Sequence, residues 1–316
     1  MGQVVLTPEV RSAWQIHCCV VLWGFTAILG KLISLGTMAL VWWRMLLVAA
    51  ALVVVPRFWA GLTRMPRRLI ATYAGIGMVV AVHWLTFYGS VRLANASVAA
   101  TCMALTPVFL AFVEPFMVGR RFDVRELLFG VAAVPGVMLV VGGTPTSMRL
   151  GIAVGALSAL LLAVFASLNK RYIGNSDALS VTGIEMGAGL LLMTVIAPLF
   201  SSDAVFVLPS THDAMLLATL AMGCTLLPFA ISLAALRHVS AFSTTIALNM
   251  EPVYAIVLAI LLLGEQRELS PSFYLGVAIV LGAVFLHPWV LRRSAAKVAT
   301  LNAVAAADPP DRDKNG

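Results

Sequence analysis

The sequence predicts an all-α, polytopic membrane protein of ten transmembrane helices, built as two inverted five-helix repeats around a central cavity. Three observations predict it. Of the 316 residues, 61% are hydrophobic and only 11% are charged, whereas a soluble domain carries about 25% charged residues. Mean hydropathy is +0.98, and the apolar residues fall in runs close to the roughly 20 that cross a bilayer as a helix. The second half of the chain also repeats the first.

In chain order the apolar runs cover 12–33, 37–56, 69–91, 95–118, 126–142, 150–169, 179–200, 213–236, 242–264 and 272–291. Short connections between them force neighbouring spans to run antiparallel. The first run has no small-residue cleavage site behind a short core, so it is read as a retained span and not a signal peptide. The segment 294–316 ends in AAADPPDRDKNG; its polar, Pro-containing composition predicts a disordered tail. The domain reading is therefore 1–146 for the first repeat, 147–293 for the second, inverted repeat, and 294–316 for the tail.

The charge pattern sets the orientation. With a cytoplasmic N-terminus, the inside segments hold fourteen Lys and Arg residues, counting Lys297 at the start of the tail: Arg11, Arg57, Arg64, Arg67, Arg68, Arg120, Arg121, Arg125, Lys170, Arg171, Arg237, Arg292, Arg293 and Lys297. The outside segments hold Arg92, Arg149 and Arg267, with Lys31 near an outer helix end. Basic residues are retained on the cytoplasmic side, so both termini are expected inside, in a cell inner membrane. The net charge of +7 then belongs to orientation and to anionic lipid, not to nucleic acid.

The repeat is visible at a shift of 145 residues. Arg92 falls on Arg237, Ala96 on Ala241, Pro107-Val108 on Pro252-Val253, and Gly119 on Gly264. At a shift of 146, GVAAVPG (130–136) falls on GVAIVLG (276–282), and at 140 Phe25 falls on Phe165 and Lys31 on Arg171. Five spans is an odd number, so the second copy enters the membrane upside down. Inverted repeats are the architecture of many secondary transporters, with the substrate held at the midplane between the halves.

A charged side chain at the centre of a span costs about 2.5–3.5 kcal/mol on insertion scales and needs a wet cavity or a partner. Arg44, Glu114, Glu185 and Glu251 stand out, and Arg44, Glu185 and Glu251 are the candidates for a charge or proton role. At 1.5 Å per residue, Glu251 lies roughly 13 Å into its span, near mid-membrane, with Arg44 about 10 Å from the outer side and Glu185 about 9 Å from the inner. Inversion places Arg44 and Glu185 on opposite sides of the midplane, so no direct ion pair between them is expected. Glu114 sits near the inner end and can snorkel. Glu251 is the leading candidate for substrate or proton contact. It precedes Pro252, and Pro107 occupies the matching place in the first repeat; each removes a backbone donor and opens its helix.

Aromatic residues complete the candidate site. Trp84 and Tyr88 share a helix face at i, i+4, beside His83. An amphipathic aromatic wall suits a pocket for a polar solute, although Tyr88 also fits an interfacial belt and His83 a packing role. Trp23 lies near mid-depth, too deep for a belt, and Tyr254 follows Glu251 by three residues. Trp42 and Trp43 lie nearer the interface and read as anchors. Gly151/Gly155 and Gly183/Gly187 are G-x-x-x-G pairs that read as helix packing.

Other chemistries find no support. Cys18, Cys19, Cys102 and Cys224 all lie in apolar runs without zinc spacing. GFTAILGK (24–31) is one residue too long for a phosphate loop, and Leu32 follows where Ser or Thr is required. Neither H-E-x-x-H nor G-x-S-x-G occurs. No cofactor, metal or enzymatic activity is expected; the expected partners are a small-molecule substrate and membrane lipid, with the oligomeric state left open.

These residues resemble the EamA branch of the drug/metabolite transporter superfamily over about 12–290. The resemblance is carried by LWG (22–24) with Lys31, by Arg44, by SVRLANASVAATCMALTPVFLAF (90–112), by Gly142-Gly143 and by EPVYAIVLAILLLGE (251–265). It implies a ten-helix inner-membrane carrier with a central cavity, often exporting amino acids or related metabolites by alternating access. It carries over Trp23, His83, Trp84 and Glu251 as cavity residues. One departure stands out: the family commonly closes the fourth span of a repeat with Gly-Glu, as in Gly264-Glu265, but the first repeat here has Gly119-Arg120. Transport of drug-like cations or sugar phosphates, and a non-transporting scaffold or sensor, are the alternative readings.

Overall fold

The computed structural model describes residues 8–119, 121–122, 124–174, 176–200, 205–229, 231 and 247–286. Arg120, Arg237, the second part of the eighth apolar run and the tail lie outside the described residues.

Helices α1 (Pro8–Leu32), α2 (Thr37–Val53), α3 (Pro56–Arg64), α4 (Arg67–Leu93), α5 (Ala96–Met103), α6 (Thr106–Val118) and α7 (Val124–Gly142) make up the first half. The second half contains α8 (Arg149–Tyr172), α9 (Ala178–Phe200), α10 (Thr211–Ala218), α11 (Glu251–Leu258) and α12 (Pro271–Leu286). A π-helical stretch, Thr219–Leu226, continues α10, and another, Ala259–Leu263, continues α11.

Six helical stretches are long and apolar enough to cross a membrane: Trp14–Leu32, Arg67–Leu93, Ala96–Val118, Thr146–Tyr172, Ala178–Leu199 and Thr211–Phe229. The α2–α3 pair makes a seventh if counted as one broken span. Three shorter apolar helices, Val131–Gly142, Ala247–Leu263 and Pro271–Leu286, fall in the fifth, ninth and tenth places of the sequence reading. The chain is a multi-pass membrane protein.

Local chemistry explains the breaks. The apolar run 37–56 ends where the chain turns, by 86° between α2 and α3. Pro56 cannot donate to α2 and instead starts α3, where its missing N–H costs nothing. Seventeen residues of α2 give about 26 Å, so α3 lies across the end of that span. Its Phe58 is buried while Arg57, Trp59 and Arg64 are exposed, the division expected of an interfacial helix.

Packing follows the duplication. Helix α4 packs against α8 and α9, and the Thr219–Leu226 stretch packs against α1 and α2. Helix α6 packs on α8, and α11 packs on α1. Exchanging the two halves converts each of these pairings into the other, and α2 on α9 maps onto itself. The largest buried apolar cluster draws on both halves, with Leu40, Met45, Val48 and Val80 beside Met193, Leu217 and Leu220. The α4–α9 crossing is close because of Gly77: a Cβ there would sit 2.2 Å from the Glu185 carbonyl oxygen.

The duplicated glycines serve the same turn twice. Gly119 (φ 79°) follows α6, and Gly264 (φ 69°) follows Leu263. Both take the left-handed conformation that lets a helix end with its last carbonyls satisfied, at no steric cost for glycine.

Candidate functional site

Arg44 is the centre of the best-defined polar cluster. Its side chain leaves α2 and is 4% exposed. Nη1 donates to the Tyr88 hydroxyl at 2.7 Å, while Nε and Nη2 donate to Thr225 Oγ1 at 3.1 and 2.8 Å. The guanidinium carbon lies 3.7 Å from the Trp84 ring centroid, inside cation–π range. Thr225 donates its own hydrogen to the Leu220 carbonyl at 2.8 Å, so its lone pairs are left for the arginine. Among the described residues no carboxylate pairs with Arg44. A full positive charge is held in the membrane by neutral groups from both halves.

The structure thus brings Arg44, Trp84 and Tyr88 together and adds Thr225, which sequence reasoning missed. A threonine in an apolar run ordinarily bonds back to its own helix, and nothing in the sequence announces the π-helical stretch that turns Thr225 toward Arg44. Such stretches are frequent at functional sites. Tyr88 is fixed from behind: its ring fills the space above Gly30, where a Cβ would lie 2.4 Å from a ring carbon.

His83 points elsewhere. Its Nδ1 lies 2.9 Å from both the Ser158 hydroxyl and the Ser158 carbonyl oxygen, and the Ser158 hydroxyl donates to the His83 carbonyl at 2.9 Å. This two-way clasp ties α4 to α8, as in the packing reading of that histidine.

Trp23 and Tyr254 form a second group. With Met250 they pack on Ile16, Val20 and Ala247, and the Tyr254 hydroxyl is 3.4 Å from His17 Nδ1. Glu251 opens α11 directly after a turn at Met250 (φ −76°, ψ −14°). The first repeat matches it: α5 stops at Met103, Leu105 turns at φ −81°, ψ −10°, and α6 restarts with Pro107. Each proline sits in the first turn of the restarted helix, where it displaces no internal bond. The Glu251 side chain is half-buried, and among the described residues no hydrogen bond reaches its carboxylate.

Glu185 is buried at the α4–α9 crossing, 4% exposed. The side chain of Asn169 is its polar neighbour, and its Oε1 has no hydrogen-bond partner among the described residues. No ion pair joins it to Arg44: the guanidinium bonds lead to Tyr88 and Thr225. Glu114 pairs with Lys170 near one end of the bundle. Trp42 Nε1 donates to Thr194 Oγ1 at 2.8 Å, which links α2 to α9. At that bundle end Asp177 accepts from Arg57 Nε at 2.6 Å and from the Ser180 backbone N–H at 3.1 Å. Partial burial pushes the Asp177 carboxyl up, and these bonds outweigh it, holding it below the usual aspartate value.

Glu265 has a structural position that the sequence did not disclose. It is 1% exposed, and its two carboxylate oxygens accept the backbone N–H groups of Ala96 and Ser97 at 2.9 and 2.8 Å. The second half thereby caps a helix of the first.

Comparisons with known proteins agree with this architecture. No curated protein matches the chain significantly. Solved structures do match: one crystal structure superposes with a TM-score of 0.59 at 16% identity, covering 90% of this chain and 98% of that one, a likeness of fold. The model of the EamA-like transporter family matches twice, over residues 12–142 and 149–292. The two matches divide the chain where the sequence repeat and the exchangeable helix pairings divide it. The chain belongs to the EamA-like transporter family.

Proposed function

We propose that this transporter exports amino acids or closely related small metabolites across the inner membrane, by alternating access, with both termini in the cytoplasm. The orientation follows from the excess of Lys and Arg in the segments assigned to the inside. One observation supports the cargo above others. The bundle carries ionisable groups of opposite sign without a counter-charge among the described residues: Arg44, bonded only to neutral groups, and Glu251, bonded to none. Burying a lone charge in lipid is costly, and an amino acid carries a group suited to each, a carboxylate for Arg44 and an ammonium for Glu251, engaged together or in turn along the path. Trp84 and Tyr88 supply flat apolar surface beside Arg44, and Trp23 and Tyr254 form a second aromatic group.

Efflux from vesicles reconstituted with the protein tests this reading. The panel comprises zwitterionic amino acids, organic cations and sugar phosphates. Amino acids are expected to leave at least ten times faster than from protein-free vesicles. Efflux confined to cations or to sugar phosphates would replace the cargo assignment while leaving the carrier in place.

A further inference from the structure

The helices interrupted before their prolines, α5–α6 and the pair of Ala247–Met250 with α11, are the same element of the two repeats. They are in contact at the end that holds Glu265. There α5 packs on α11, whereas α6 packs on α8 and α7, and the start of α11 packs on α1. The joined end is sealed by Glu265. Its carboxylate takes the N–H groups of Ala96 and Ser97, two of the donors that a helix start leaves without an internal acceptor. Asn95 Oδ1 takes the next, Val98 N–H, at 2.9 Å, while its Nδ2 donates to Glu268 Oε2 at 3.0 Å. A carboxylate is the right group here, because a helix N-terminus attracts negative charge. Other bonds join the halves at the same end, Ser34 N donating to Asp213 Oδ1 at 2.8 Å and Ser270 Oγ to the Gly143 carbonyl at 2.9 Å, while Arg57 with Asp177 and Lys170 with Glu114 join them at the opposite end.

From this geometry we infer that the Glu265–Ala96/Ser97 joint is a gate latch, which closes one face of the carrier and separates once in each transport cycle. The inference rests on the transporter reading and adds a moving part to it. The repeat makes the two gates unequal. At the shift that places Gly119 on Gly264, Glu265 falls on Arg120. Arginine has no acceptor for a backbone N–H, and its charge is repelled by a helix N-terminus. The first repeat therefore has no carboxylate at the position that matches Glu265.

Two measurements test the latch in the full-length protein with its native cysteines replaced. In the first, Ser97→Cys reports opening through its rate of reaction with a maleimide. Ser97 is fully buried, so labelling is slow while the latch is shut. Adding Glu265→Ala is expected to raise the rate at least ten-fold. Glu265→Gln, which keeps one acceptor oxygen, is expected to fall between. An unchanged rate in folded protein would overturn the latch. In the second, Asn95→Cys and Glu268→Cys are joined by a short, reducible thiol cross-linker while Glu265 stays in place. Cross-linking is expected to cut flux at least ten-fold, with recovery on reduction; full flux through the cross-linked protein would overturn the proposal. The labelling rate needs no substrate, so a wrong cargo assignment would leave it unaffected.

Discussion

The Arg44 cluster shows how a membrane protein holds a charge without a counter-charge. Each partner is neutral, and each contributes through an oriented dipole or an aromatic face. Hydrogen bonds to charged groups contribute about 1.5–3 kcal/mol. Tyr88→Phe removes one such bond and leaves the ring above Gly30. It is expected to lower stability by about that amount, read as an earlier thermal unfolding midpoint in detergent, while Trp84 keeps its place over the guanidinium. At this scale the sequence spoke unevenly. Arg44 and Glu251 stand out because charge is rare in apolar runs. Thr225 and Ser158 do not, because a hydroxyl in a helix is usually bound to its own backbone, and only the packing of another helix shows where it is directed.

Helices here are shaped by residues that remove something: a donor, a side chain or a straight path. Pro56, Pro107 and Pro252 each begin a helix after a turn; the sequence reading marked the breaks at Pro107 and Pro252 and not the one at Pro56. The α3 helix was not marked either, since a nine-residue segment with three arginine and tryptophan side chains on its exposed surface reads as a loop when only hydropathy is followed. Close helix contact was also hidden, because 24 glycines offer many places for it. The structure singles out Gly77. Gly77→Ala would press a methyl group into the α9 backbone, and overpacking of this kind costs about 1–3 kcal/mol or more. Gly75→Ala is the control on the same helix, with nothing within 4 Å of its Cβ. It should be neutral or mildly stabilising, as alanine is the better helix former. Thermal unfolding of the two variants side by side reads the difference.

For the molecule as a whole, duplication is the organising fact. It appears as a 145-residue shift in the sequence, as helix pairings that exchange with the halves, and as two matches to one family model. The overall class was legible because the membrane permits few solutions: every span must satisfy its own backbone, so hydropathy alone marks the helices. What breaks the symmetry was legible only in part. Glu265 against Arg120 could be read as a departure, but its meaning needed the distance from Glu265 to a helix start in the other half. The two charges are asymmetric as well, with Arg44 on α2 and, on α11, Glu251, which has no partner among the described residues. If these groups lie along the path of a zwitterion, removing one charge must cost transport without costing the fold. Amino-acid efflux from vesicles reconstituted with equal amounts of folded Glu251→Gln and unmodified protein decides this. The glutamine variant is expected to run at least ten-fold slower; equal rates would take Glu251 off the path and leave the buried charges without their proposed role.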